Sequence, residues 1–295
     1  MSFQKIVIIG TGVMGQGISR VVAATGTEVL LIDKTKDLAA KGIEGIAESM
    51  DKEIDRWGLT NSEKRAILSR IHPKSEIREA GTVRMIIECI QEDLKAKLDL
   101  FEQLDKICKP NAILVTNTST LSITEIAAVT KREDKVIGMH FLNPVVKIPL
   151  VEVVKGLKTS QETFDVIKDF ASELGKTVIS VSEYPGYVTT RIIVPMLNEA
   201  MHVLMEGIAS ADDIDNAIKL GFGLNIGPLA LADQMGLDEV ISWMENLLAE
   251  LSDHKYNPCP LLRKMVRAGR LGVKTGEGFF KYDEEGNRIR NDTVE

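Results

Sequence analysis

The chain has 295 residues, 44% hydrophobic and 27% charged, which is typical of a globular protein with one large or two moderate domains. Its formal net charge of −7 at pH 7 argues against a nucleic acid or an anionic membrane as a partner. The three cysteines have no CxxC spacing, which predicts free thiols and no zinc site. No apolar run has membrane-spanning length, and the first strand pattern begins at Lys5, which leaves no room for a signal peptide. We therefore expect a cytoplasmic protein.

Short apolar runs alternate with amphipathic stretches over about the first 180 residues. The runs are rich in valine, isoleucine and leucine, as are strands buried on both faces. They lie at residues 5–10, 27–33, 84–90, 112–117, 135–141, 150–154 and 177–182. The stretches between them, such as 93–107 and 163–174, have helical periodicity. This alternation predicts an α/β domain with a doubly wound sheet of the Rossmann type.

Two segments depart from this alternation. Residues 36–71 are charged and helical in pattern, with a turn and capping signal at 57–64, so we predict a helical hairpin inserted after the second strand. Beyond residue 184 only helices are predicted, and Ser210 with Asp213 indicates an N-cap and an acidic first turn. These helices are at 191–207, 210–221, 227–251 and 260–269. We therefore expect an α/β domain at 1–184 and an all-helical domain at 185–295.

A glycine-rich loop follows the first predicted strand. Gly10, Gly12 and Gly15 have the spacing G-x-G-x-x-G, which permits a tight turn and close approach of a pyrophosphate to a helix N-terminus. The loop residues Thr11, Val13 and Met14 belong to the same predicted cofactor site. Asp33 ends the next strand. A carboxylate at this position binds ribose hydroxyls and repels a 2′-phosphate, so NAD is favoured over NADP. Lys34 could soften that repulsion. A cluster of turn glycines with a surface Asp is the alternative.

His140 lies at the end of the predicted strand 135–141, where open α/β sheets bind their ligands. Oxidation of an alcohol by hydride transfer needs a base for the hydroxyl proton, a role that suits imidazole. Glu152 could orient the imidazole if residues 142–149 form a turn that brings the two strands side by side. The alternative is a core histidine with Glu152 in solvent, but the nucleotide loop favours an acid/base pair.

Five segments together resemble the L-3-hydroxyacyl-CoA dehydrogenase family, including its short-chain 3-hydroxybutyryl-CoA members, over almost the whole chain. They are GTGVMGQG, TNTSTLSITEIA, GMHFLNPV, LVEVV and GVKTGEGFFKY. The resemblance implies an NAD-dependent oxidoreductase that interconverts L-3-hydroxyacyl-CoA and 3-oxoacyl-CoA, and that forms a homodimer through its C-terminal helical domain. It implies that His140 is the general acid/base, that Glu152 orients it, and that Ser119 contacts the substrate hydroxyl and the cofactor.

The resemblance also implies further cofactor contacts outside the glycine loop. The matching residues are Glu92, Lys97, Asn143 and Lys274. Structural alternatives remain open for three of the implied positions. Asn143 before a proline could be a turn residue, Lys274 beside glycines could belong to a surface loop, and Ser119 could be a helix cap.

The helical hairpin is the segment that, by resemblance, contacts the adenosine of coenzyme A. Ser49 and Arg56 match the family's contact positions, and together with Lys52 they fall on one helical face. An arginine there could grip a phosphate with its fork of donors. The alternative is a solvated face, because the region also carries many acidic residues.

Thr190 departs from the family pattern, because it occupies the position of an asparagine that in the family lies beside the catalytic histidine. A threonine offers one hydroxyl where asparagine offers two donors and an acceptor. Asp93 also stands where the family often has asparagine, and we interpret it as a helix cap. Two other functions therefore stay open. One is a dehydrogenase of a 3-hydroxy acid without CoA, such as a sugar acid or carnitine, and the other is a non-catalytic dinucleotide-binding protein of the same superfamily.

Overall fold

The computed structural model describes residues 3–55 and 58–289. The chain divides into two compact units, the first ending at Tyr187 and the second beginning at Val188. Within the described ranges, no helix is both long and apolar enough to cross a membrane. Each unit has its own hydrophobic core.

The first unit is built on one eight-stranded sheet. Its strands are β1 (Lys5–Ile9), β2 (Glu28–Ile32), β3 (Ile71–Lys74), β4 (Met85–Glu88), β5 (Ile113–Thr116), β6 (Val136–Phe141), β7 (Leu150–Lys155) and β8 (Thr177–Ser182). Their order is β3-β2-β1-β4-β5-β6-β7-β8, and all neighbours are parallel except the antiparallel pair β6 and β7. Apolar side chains alternate between two core clusters on opposite faces, which explains the continuous hydrophobic runs. The predicted fold class is confirmed.

In the described part of this unit, six α-helices flank the sheet. They are α1 (Val13–Ala24), α2 (Lys36–Ile54), α3 (Asn61–Leu68), α4 (Leu94–Ile107), α5 (Ile123–Ala128) and α6 (Gln161–Glu173). Helices α2 and α3 form the helical segment expected after β2. Thr60 begins α3 with a reciprocal capping box to Glu63, and Asp93 caps α4 by accepting a hydrogen bond from the Ala96 N–H at 2.7 Å. Both caps were predicted from the sequence and are confirmed.

Strand β3 was not predicted, because the helical insertion was expected to run to residue 71. The four residues of β3 include Pro73 and two polar side chains, so they lack a strand signal. The strand pairs in parallel with β2 at the edge of the sheet, where a proline is tolerated because one side of the strand needs no ladder hydrogen bond.

The second unit is helical, with a short two-stranded ribbon near its end. Its helices are α7 (Thr189–Met205), α8 (Ala211–Phe222), α9 (Pro228–Met235), α10 (Leu237–Leu251) and α11 (Pro260–Arg267), and the ribbon strands are β9 (Lys281–Tyr282) and β10 (Arg288–Ile289). The predicted cap of α8 is confirmed, because the Asp213 N–H donates to Ser210 Oγ at 3.2 Å. The prediction of a single helix over 227–251 was wrong. Gly236, with a φ of +97°, separates α9 from α10, and its conformation favours glycine.

Candidate active site

Four buried polar side chains lie on one face of the sheet, near the carboxyl ends of β4, β5 and β6. The strand register pairs Glu88 with Thr116, Thr116 with Gly138, and His140 with Glu152, so the four polar side chains point to the same face. All four are at most 4% exposed. Because open α/β sheets bind ligands at this edge, the cluster marks a candidate active site.

His140 and Glu152 face each other across the antiparallel pair β6 and β7. His140 Nδ1 lies 2.7 Å from Glu152 Oε2, and the Glu152 side chain is fully buried. The alternative in which Glu152 points to solvent is therefore wrong. A carboxylate accepts at Nδ1, so Nδ1 carries the proton and Nε2 of the neutral ring is left as an acceptor. The geometry suits an imidazole that takes a proton at Nε2.

The loop 142–149 makes the turn that this pairing requires. The buried Lys176 anchors the loop, and the half-buried Asn117 holds the strand end that precedes it. The Lys176 ammonium donates to the carbonyl oxygens of Val145 and Ile148 at 2.5 and 2.7 Å, and burial lowers the pKa of Lys176. Asn117 Oδ1 accepts a hydrogen bond from the backbone N–H of Phe141 at 2.9 Å. Neither residue was predicted from the sequence, since a lysine before a strand and an asparagine after one usually lie at the surface.

Glu92 organises the loop that carries Ser119. Its Oε1 accepts hydrogen bonds from the Thr118 hydroxyl at 2.6 Å, the Ser119 N–H at 2.8 Å and the Thr120 N–H at 3.0 Å. Ser119 is half-buried beside this carboxylate. The helix-cap alternative for Ser119 is wrong, because Ser122 caps α5.

Lys97 forms a buried ion pair with Glu88. The Lys97 Nζ is 2.5 Å from Glu88 Oε1 and 3.7 Å from Glu92 Oε2, and the side chain is 1% exposed. The Thr116 hydroxyl donates to the other Glu88 oxygen at 2.7 Å. Burial raises the pKa of Glu88, while the neighbouring ammonium opposes that rise. Lys97 thus neutralises Glu88 and borders Glu92.

The glycine loop has the local geometry of a dinucleotide site. Gly10 has a φ of +104°, and a Cβ atom on Gly15 would lie 1.9 Å from the Gly10 carbonyl oxygen, so the loop and α1 can pack this closely only with glycine. A Cβ atom on Gly12 would meet no described atom within 4 Å. Gly12 precedes the first residue of α1, Val13, so the open space lies at a helix N-terminus, where a pyrophosphate binds favourably. Met14, in the first turn of α1, packs against the core.

Asp33 follows β2 and is held beside the glycine loop. Its Oδ2 accepts hydrogen bonds from the Thr11 N–H at 3.0 Å and the Thr11 hydroxyl at 2.5 Å. Its Oδ1 accepts from the Lys34 N–H at 2.7 Å. The carboxylate is therefore fixed near the helix N-terminus, as ribose recognition requires.

The helical segment after β2 carries the residues assigned to coenzyme A. Ser49 and Lys52 are exposed on α2, whereas Arg56 lies outside the described residues. Two of the acids on this helix, Asp51 and Glu53, pair with basic residues of α3 and α1. These ion pairs neutralise two of the acidic side chains whose charge favoured the alternative of a solvated face over a phosphate-binding one.

Two predicted site residues belong to the second unit. Thr190 is buried in the first turn of α7. Lys274 donates to Asp238 Oδ2 at 2.5 Å and is partly exposed, beside glycines as the sequence shows.

Tyr187 was not predicted as a site residue, yet it lies beside the histidine. Its ring centroid is 5.5 Å from that of His140, with 58° between the ring planes. In the sequence this tyrosine belongs to a segment that only indicates a change of domain. No spacing rule brings it to β6.

Comparison with known proteins covers both units. The family model for the 3-hydroxyacyl-CoA dehydrogenase NAD binding domain matches residues 5–184, and that for the C-terminal domain of the same enzymes matches residues 186–282. A probable 3-hydroxybutyryl-CoA dehydrogenase of Bacillus subtilis is 44% identical over 97% of this chain and 99% of its own. The 3-hydroxybutyryl-CoA dehydrogenase of Clostridioides difficile is 44% identical over 95% of this chain and 100% of its own. The crystal structure of (S)-3-hydroxybutyryl-CoA dehydrogenase from Ralstonia eutropha is 42% identical, with a TM-score of 0.87, and the match covers 96% of this chain and 100% of that one.

Proposed function

The chain belongs to the 3-hydroxyacyl-CoA dehydrogenase family, and from this premise we propose that it acts on short acyl chains, with His140 as general acid and base. Family membership makes it an NAD-dependent oxidoreductase of 3-hydroxyacyl-CoA. The proposed reaction interconverts L-3-hydroxybutyryl-CoA and acetoacetyl-CoA. The observation that carries the proposal is the buried hydrogen bond between His140 Nδ1 and Glu152 at the end of β6. The names of the similar proteins support a short acyl chain in the substrate.

The chemistry of the pair follows from its geometry. In the oxidation of the hydroxyacyl substrate, Nε2 of His140 takes the proton of the C3 hydroxyl, and the Glu152 carboxylate stabilises the imidazolium that forms. Bound NAD, held by the residues around the glycine loop, would supply the acceptor for the hydride from C3. In the reverse direction the imidazolium returns its proton to the C3 oxygen. Burial of both side chains in a site of low dielectric makes the charge of Glu152 more effective than it would be in water.

The residues around the glycine loop fit the cofactor. We propose that the open face at Gly12 and the flanking Thr11, Val13 and Met14 hold the pyrophosphate, and that Asp33 binds the ribose hydroxyls. The remaining proposed cofactor residues are Gly10, Gly15, Glu92, Lys97, Ser119, Asn143 and Lys274. Among these, Glu92 has a clear structural means of acting, because it fixes the loop on which Ser119 would meet both cofactor and substrate.

Three further assignments rest on the resemblance together with exposed groups. We propose that Ser49 and Arg56 bind coenzyme A, and that Thr190 contributes to the substrate site. We also propose that the helical domain 185–295 forms a homodimer, supported by large apolar side chains that are exposed on and before α8. These are Ile208, Leu220 and Phe222, which are 67%, 83% and 76% exposed, and exposed apolar groups of this size favour an interface.

The test is the consumption of NADH with a series of 3-oxoacyl-CoA substrates of increasing chain length, repeated with NADPH. We expect the highest kcat/KM with acetoacetyl-CoA and NADH. His140→Gln should lose most of its kcat and keep its affinity for NADH, and full turnover in this variant would refute the role of His140. An unchanged KM for the acyl-CoA in the variant with both Ser49→Ala and Arg56→Ala would instead refute the coenzyme A contact.

A further inference from the structure

Tyr187 presents a buried hydroxyl that the fold does not use. The side chain is 4% exposed and packs in the core cluster on the His140 face of the sheet. Its ring lies against the imidazole, with 5.5 Å between the ring centroids. The phenol oxygen is buried and has no hydrogen-bond partner among the residues that the structure describes. Because a buried donor without an acceptor is destabilising, this hydroxyl needs an explanation.

The acidic groups around the phenol do not serve as its acceptors. Burial, and then the carboxylates of Glu92, Glu183, Glu152 and Glu88, raise the pKa of Tyr187 well above its usual value, so the hydroxyl keeps its proton and remains a donor. Each of these carboxylates already accepts other hydrogen bonds. Glu92 holds the Ser119 loop, Glu183 binds Ser122 and Thr124, and the other two pair with His140 and Lys97.

Packing alone does not require a tyrosine at this position. The backbone of Tyr187 has a φ of +50°, a conformation that few residues other than glycine adopt, and its N–H donates to the Tyr184 carbonyl oxygen at 2.9 Å. Neither feature involves the hydroxyl. A phenylalanine would fill the same space among the apolar side chains without burying an unpartnered donor.

We propose that the Tyr187 hydroxyl donates a hydrogen bond to the C3 oxygen of the acyl-CoA substrate, next to the proton that His140 holds. The inference rests on the proposed function, because that function places the C3 oxygen at His140 Nε2. When the 3-oxo group is reduced, negative charge develops on this oxygen before the imidazolium proton arrives. A second donor fixed in a buried site stabilises that charge. The phenol keeps its own proton throughout, so the proton balance of the reaction is unchanged.

The test compares Tyr187→Phe with a matched control, Tyr256→Phe. Tyr256 is fully buried in the core of the helical unit, and its hydroxyl also has no partner among the described residues, so both changes delete the same kind of group. Tyr256 belongs to the core of the helical unit, whereas His140 belongs to the sheet of the first unit. We expect Tyr187→Phe to lower kcat for acetoacetyl-CoA reduction at least about tenfold, since loss of one such donor elsewhere costs roughly 100-fold or more. The Kd for NADH should change less than twofold, and the Tm should stay equal or rise.

The control variant should keep the wild-type kcat, with a Tm that is also equal or higher. Wild-type kcat in Tyr187→Phe would overturn the inference. A fall in its Tm, with a loss of activity that matches the loss of folded protein, would show that the hydroxyl is structural and would also overturn it. If the wild type fails to consume NADH with any 3-oxoacyl-CoA, the proposed function fails and takes the inference with it. An active wild type with an unaffected variant rejects the inference alone.

Discussion

Replacing Glu152 with glutamine removes one negative charge from the His140 pair and leaves the shape of the side chain almost unchanged. The Oε2–Nδ1 distance is 2.7 Å and the glutamate is fully buried. The centres of the two charges in an imidazolium–carboxylate pair are then about 4 Å apart, for which Coulomb's law gives about 4 kcal/mol at an effective dielectric constant of about 20. A neutral amide at the same place recovers part of this through a hydrogen bond.

We therefore expect Glu152→Gln to raise the barrier to proton transfer by about 3 kcal/mol, which is a loss of roughly 100-fold in the chemical rate. The assay is single-turnover reduction of NAD by L-3-hydroxybutyryl-CoA, the direction in which the imidazolium forms, because single-turnover kinetics separate chemistry from product release. The matched control is Glu28→Gln. Glu28 pairs with His72 on β2 and β3 at the far edge of the sheet, so its replacement should leave the rate unchanged.

Two results would refute this reasoning. If Glu152→Gln retains the chemical rate to within about threefold, the carboxylate does not stabilise the imidazolium. If Glu28→Gln slows the reaction as much as Glu152→Gln does, the effect comes from a general loss of negative charge or of stability, not from the pair at the end of β6.

The remaining predictions concern the cofactor loop, cofactor choice and the pH dependence of stability. Gly12→Ala should fold with the wild-type Tm but lose at least about tenfold in NADH affinity, measured by fluorescence titration, because its Cβ enters only the open space. Gly15→Ala should instead lower the Tm, because its Cβ overlaps the Gly10 carbonyl. Asp33→Ser should raise the ratio of kcat/KM for NADPH to that for NADH at least about tenfold, and an unchanged ratio would contradict the ribose contact. Burial raises the pKa of Asp233 to about 6, so its contribution to stability is fully present below the unfolded pKa of about 3.8 and is lost as the pH rises through about 6. The unfolding free energy of the wild type minus that of Asp233→Asn should accordingly fall by up to about 3 kcal/mol between pH 4 and pH 7 in denaturant titrations, and a constant difference would contradict this.

The sequence predicted those features that depend on local pattern. Strands buried on both faces are recognisable from continuous apolar runs, and the glycine loop from its spacing between a strand and a helix. The partnership of His140 and Glu152 could be proposed because a lone acid in an apolar strand needs a partner. Glu88, in the run RMIIECI, carries the same signal and could have been found in the same way. Its partner Lys97 was assigned to the cofactor by resemblance, and the ion pair itself was not predicted.

The features that were missed depend on tertiary contacts. Strand β3 has too few apolar residues to be recognised from the sequence. It forms because the unpaired backbone groups at the edge of β2 can bind it in parallel. Lys176 binds two carbonyl oxygens of a loop that precedes it by about thirty residues, a separation for which no local pattern exists. Tyr187 reaches His140 only because the chain turns at Gly186 and Tyr187, both with positive φ. The sequence shows a proline and a glycine there, which indicate only the change of class at the domain boundary.

The two buried acids on the same sheet face have different partners. Glu88 accepts hydrogen bonds from Lys97, Thr116 and the Ile90 N–H, and this closed set of contacts is what a buried charge requires to be tolerated. Glu152 instead holds an imidazole, which has a second nitrogen. A group that transfers protons must be fixed on one side and be able to meet its substrate on the other, which is the role proposed for His140. The ammonium of Lys97 is as deeply buried, but its donors are directed to protein oxygens. The second nitrogen of imidazole is thus the feature that favours His140 as the proposed acid/base group.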